Sequence, residues 1–202
     1  MRVAEGEQVE GSWWRTAPLL LAATLAHVGV AIGVQIMPPL VPFYQEELGL
    51  SRAQVGTIVG AIYCGSMLAS FPAGRAVDVV GVRRMLALSV VLMGVPVGLF
   101  ALSTSLWPVL AAAVVGGLGY GAATPVSTRA VMDWFHGRIR GTAMGVKQTG
   151  MPLGGALVSA TAPALAVAFG WRVALGFFSL FIMALAALCF VWYRDAEQPA
   201  AR

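Results

Sequence analysis

The chain has 202 residues, 58% of them hydrophobic and 11% charged, with a net charge of +4 and a mean hydropathy of +0.80. Soluble domains run nearer about 45–50% apolar and about 25% charged, so this composition excludes an ordinary soluble domain and points to lipid as the solvent. The basic residues lie between apolar runs and form no single patch, which argues against a nucleic-acid surface despite a pI near 9.6.

A spanning helix needs about 20 apolar residues to cross about 30 Å of hydrocarbon. Residues 1–15 read as a cytoplasmic segment carrying Glu5, Glu7 and Glu10, and the first apolar run is too long for a cleaved signal core. The first predicted span, 16–43, holds His27 and Gln35 and ends in Met37-Pro38-Pro39-Leu40-Val41-Pro42. His27 lies roughly 16 Å into it at 1.5 Å per residue. A histidine there either couples protons or rests as a neutral imidazole bonded to a neighbouring helix. The second span, 53–73, carries Tyr63, and the third, 83–103, carries Pro96. In the fourth, 106–131, Thr124, Ser127 and Thr128 share a face at i, i+3 and i+4, and Arg129 follows as an interfacial anchor. The fifth, 141–168, takes Lys147 and Gln148 roughly 9 Å deep by the same rise. Lys147 either binds an anionic group or snorkels back to the interface. The sixth span is 171–193, and 194–202 is a cytoplasmic tail.

The expected fold is therefore an all-α membrane protein of six transmembrane helices. With the N-terminus inside, ten basic residues fall on the inner side and two, Arg52 and Arg172, on the outer side. That bias places both termini in the cytoplasm. Many glycines recur four apart: Gly29/Gly33, Gly56/Gly60, Gly94/Gly98, Gly117/Gly121, Gly141/Gly145 and Gly150/Gly154. Small residues on one face let helix backbones approach closely in lipid. Prolines 38, 39, 42, 72, 96, 125 and 152 lie in or near the spans. They either line a cavity as helix breaks or are kinks without function.

Soluble-enzyme chemistry finds no support. The Gly117-x-Gly119-x-Gly121 run lies inside an apolar helix with no preceding strand, so a nucleotide loop lacks its context. No Ser/His/Asp set, metal-ligand cluster or intramembrane carboxylate pair is present, so no metal or cofactor is expected. Cys64 and Cys189 read as small buried hydrophobes.

The connection between the second and third spans reads Gly74-Arg75-Ala76-Val77-Asp78-Val79-Val80-Gly81-Val82-Arg83-Arg84. It resembles the signature loop of the major facilitator superfamily, with Gly74, Asp78, Gly81, Arg83 and Arg84 matching and Val79 standing where a basic residue is usual. Glu46 through Ser51 with Gly56 resembles the family's first outer loop, and Gly117 through Ala122 its fourth helix, with Ala113 in place of a common arginine. Trp134 through Gly141 and Gly170-Trp171-Arg172 resemble its fourth-to-fifth loop and sixth-helix start, and Gly145 through Gly155 loosely resembles its antiporter motif. Family members have two six-helix halves related by an axis along the membrane normal, and this chain corresponds to the first.

The resemblance implies secondary transport of a small polar solute by alternating access in the plasma (inner) membrane. Lys147 and Arg129 favour an organic anion, and His27 would couple protons. Candidate solute contacts are His27, Gln35, Tyr63, Thr124, Lys147 and Gln148. The resemblance gives the signature residues a gating role, while Gly117, Gly121, Gly150 and Gly154 pack helices. A homodimer would restore the twelve-helix symmetry, with Asp78 of one copy near Gly141 of the other. A truncated or split half, or a non-transporting module needing a separate partner, remains open.

Overall fold

The computed structural model describes residues 13–195. The expected terminal segments therefore lie almost wholly outside the described residues. The chain forms helices α1 (Trp13–Gln35), α2 (Met37–Glu47), α3 (Arg52–Val80), α4 (Val82–Ala101), α5 (Leu106–Trp134), α6 (Gly137–Gln148), α7 (Gly150–Phe169) and α8 (Trp171–Trp192). Together α1 and α2 make one span, as do α6 and α7, so six helical stretches are long and apolar enough to cross a membrane.

Proline chemistry explains the two interruptions. Pro38 and Pro39 have no N–H for the carbonyls of Val34 and Gln35, so the ladder stops at Ile36, whose N–H still reaches Ile32 O at 2.9 Å. Pro152 leaves the Gln148 carbonyl without its helical donor, and the fifth span breaks at Thr149. Prolines 72, 96, 125 and 163 lie within helices that continue through them.

Several boundaries move outward from the sequence reading. The first span continues to Glu47 instead of stopping at 43. The second continues to Val80, so Gly74 and Asp78 sit on the last turns of α3 rather than in a loop. What joins α3 to α4 is Gly81 alone, at φ +91°, a conformation that a Cβ would strain. Gly170, at φ +88°, makes the same one-residue junction between α7 and α8. At the other end of α3, Ser51 and Gln54 form a reciprocal capping box, with bonds of 2.8 and 3.2 Å.

Helix packing is set by glycine. Gly117 and Gly121 on α5 lie against the carbonyls of Ile62 and Ser66 on α3, and Gly65 on α3 lies against Val114 O. Gly29 and Gly33 receive Val90 and Met93, Gly94 and Gly98 receive Ile182 and Ser179, and Gly150 and Gly154 abut α1. Two expected pairs behave differently. Around Gly56/Gly60 on α3 and Gly141/Gly145 on α6, nothing lies within 4 Å of where a Cβ would stand. Cys64 is also exposed on α3, against the reading of it as buried, while Cys189 is buried. The Cys64 side of α3 turns away from the packed face that Gly65 and Ile62 supply.

Candidate functional site

Both faces of the half-bundle are tied by polar contacts. On the face where α2 ends, Glu47 accepts from Trp171 Nε1 at 2.6 Å and from Arg172 Nε at 3.0 Å, while Arg172 also donates to Ala101 O at 2.6 Å. Tyr44, Phe100 and Trp171 pack as an aromatic cluster beneath them. On the opposite face, Arg129 lies 3.4 Å from Asp78 and 2.8 Å from Asp133. The Arg83 amide donates to Asp195 Oδ1 at 2.8 Å, and its Nε donates to Phe190 O at 2.6 Å. Asp195 thus places a carboxylate at the N-terminus of α4, where the helix dipole favours negative charge. Tyr193 donates to Ala130 O at 3.3 Å, and burial pushes its phenol above the ordinary value. Arg84 is exposed.

Between these faces lies a polar cluster inside the apolar body. Lys147, only 2% exposed, turns inward instead of snorkelling. Its Nζ donates to Ser127 Oγ at 3.4 Å and Thr128 Oγ1 at 3.3 Å. Ser127 directs its own hydrogen to Ala123 O at 2.6 Å, which leaves its lone pairs for the lysine. Among the described residues, no carboxylate pairs with Lys147. One turn along, a Cβ on Gly150 would lie 2.7 Å from the Cβ of His27, so the absent side chain is what lets α1 come this close. His27 is buried and its Nδ1 has no hydrogen-bond partner among the described residues. Thr24, one turn from His27, donates back to Leu20 O at 2.8 Å.

The other sequence candidates divide. Gln35 donates to Met151 O at 3.2 Å and fits against Gly155, so it serves the contact between α1 and α7. Gln148 is exposed on the side of α6 away from Lys147. Thr124 is exposed on α5. Tyr63 is 54% exposed and meets Tyr120 edge-on, ring centroids 6.1 Å apart. Arg129, expected as an anchor that also favours anions, is engaged by Asp78 and Asp133.

Sequence reasoning missed Tyr120, Glu47 and Asp195. The i, i+4 spacing of Arg129 and Asp133 was a legible signal. Nothing local pointed to Asp195 reaching Arg83 across 112 positions.

A sequence profile of the Major Facilitator Superfamily matches residues 21–202. The hexuronate transporter of Bacillus subtilis (strain 168) is 28% identical over 181 residues, covering 90% of this chain and 43% of the relative. The membrane sensor protein UhpC of Escherichia coli (strain K12) is 28% identical over 152 residues, covering 75% of this chain and 34% of the relative. Among solved structures, the proton:xylose symporter XylE superposes with a TM-score of 0.75 at 17% identity, over 89% of this chain and 45% of that one. The chain therefore spans less than half the length of these relatives, and its helices have the arrangement of one half of the XylE fold.

Proposed function

The chain belongs to the Major Facilitator Superfamily, and from that premise we propose that it is one six-helix unit of a secondary carrier moving a small organic anion by alternating access. The observation that carries the reading is the buried ammonium of Lys147, which has two hydroxyl partners and no carboxylate among the described residues. An uncompensated charge at this depth costs several kcal/mol, and an anion entering from a water-filled cavity offsets that cost. The likeness to a hexuronate transporter agrees with an anionic solute. His27, beside Gly150 and with Nδ1 unpartnered, carries the accompanying proton in this scheme. The protein works in the plasma membrane with both termini in the cytoplasm.

The second six-helix unit is a second copy of this chain, related by a twofold axis along the membrane normal. The open glycine pairs support this: Gly56/Gly60 and Gly141/Gly145 lie on the two least buried spans. Asp78, 57% exposed at its side chain, then faces the partner's α6 near Gly141. Signature residues Gly74, Gly81, Arg83 and Arg84 flank that contact.

The test is uptake of radiolabelled D-glucuronate into proteoliposomes under an imposed pH gradient, beside the particle mass in mild detergent. Uptake that depends on Lys147, with a particle of two chains, supports the proposal. A single-chain particle would assign the second unit to a longer form of this chain or to another protein. The likeness to a membrane sensor favours one other reading, a module that binds a solute without moving it. Binding without flux would decide for that.

A further inference from the structure

Tyr120, Thr124 and Thr128 follow one another at four-residue intervals on α5 and so stand on one helix face. Their Cα atoms cover about 12 Å at 1.5 Å per residue. This face has a charged end and an aromatic end. At the first, Thr128 Oγ1 accepts from Lys147 Nζ at 3.3 Å, which relays the field of a side chain that is itself almost wholly buried. At the second, Tyr120 meets Tyr63 with rings inclined at 75°. Thr124 lies exposed between them, and its hydroxyl is free among the described residues.

The aromatic end is held rigidly. The contacts of Gly117 with Ile62 O and Gly121 with Ser66 O stop α3 from sliding along α5, and Tyr63 stands between those two positions. Tyr63 also lies roughly 16 Å along the span from Arg52 at 1.5 Å per residue. Tyrosines that face lipid concentrate at the membrane interfaces, so a half-exposed tyrosine pair at mid-depth has another use. Tyrosine gives an apolar ring face together with a polar hydroxyl, which suits the C–H faces and hydroxyls of a saturated hydroxylated ring.

We propose that this face selects ring-sized organic anions: the carboxylate docks at Thr128 and Lys147, and a hydroxylated ring lies over Thr124 against Tyr63 and Tyr120. The inference rests on the anion reading above and adds a size and shape to it. A small oxyanion fills only the charged end and leaves the tyrosines unused.

The experiment is ligand binding to the full chain in detergent micelles, read by tryptophan fluorescence at constant ionic strength, with sodium D-glucuronate, acetate and nitrate as probes. Wild type binds glucuronate at least about tenfold more tightly than acetate or nitrate, the scale of one good aromatic contact. Tyr63→Leu removes most of that preference and leaves acetate binding unchanged, while Tyr63→Phe retains most of it. Tyr63 is exposed, so both variants melt with wild type, and this is checked first. Equal affinity for glucuronate and acetate, or a Tyr63→Leu loss that falls equally on both, overturns the inference and leaves the anion site standing. If no probe binds, and Lys147→Gln changes nothing, the anion reading fails and takes this inference with it.

Discussion

The first and second spans are built from the same kinds of residue, yet they are treated oppositely. The first span has 67% of its apolar window buried inside the half-bundle, the second only 22%, and the fifth resembles the second at 28%. Hydropathy does not order the six spans by burial, since the sixth is the most apolar of them yet only 39% buried. What differs is where their small residues find partners. Gly29 and Gly33 on the first span accept side chains from α4 and α8. Gly56 and Gly60 on the second meet nothing. A filled glycine pair marks a helix face packed inside the unit, and an open pair marks a face turned outward.

The strongest way to break this comparison is to fill both kinds of glycine. Gly117→Leu drives a side chain into the Ile62 carbonyl and is expected to cost about 3 kcal/mol or prevent folding. Thermal unfolding in detergent measures it. Gly56→Leu and Gly145→Leu enter open space, so unfolding stays near wild type, and a melting loss as large as that of Gly117→Leu would erase the distinction. Next, Lys147→Met is expected to lower uptake on the order of a hundredfold, the loss of a charge-assisted hydrogen bond to the solute. Its thermal stability should equal or exceed wild type, because an unpaired buried charge has been removed. Wild-type uptake together with lost stability would make Lys147 a packing residue. Third, the same two glycine variants should weaken association between copies at least about tenfold in dilution experiments, since close approach is what drives helix contact in lipid. The smallest effect is expected at the surface ion pairs: Asp78→Asn should change unfolding by about 0.5 kcal/mol. A large drop would show that Arg129 holds the unit together.

Much of the fold was legible because each span announces itself within its own stretch of residues. The apolar runs, the Pro38-Pro39 stop and the glycine pairs on α1, α4, α5 and α7 were all readable. Two kinds of detail were not. Helix ends ran longer than expected, as at Val80 and Glu47, because a polar residue in the last turn reaches water without ending the helix. Side-chain partners across the bundle were also hidden: Lys147 was identified without its hydroxyl pair, and Arg129 without Asp78. Gln35 and Gln148 looked equivalent as isolated polar residues in apolar helices. One binds the Met151 carbonyl, and the other faces outward.

By itself the sequence determined that this chain lives in lipid and that it makes six spans. These follow from composition over about 20 residues, because inserting a helix into a bilayer is a local matter of hydrophobicity and backbone hydrogen bonding. Only the tertiary structure decided which glycines are filled, that Lys147 turns inward to Ser127 and Thr128, and that Tyr63 meets Tyr120. Those depend on the rotation of each helix about its axis and on which neighbour stands beside it, and residues far apart in the chain settle both.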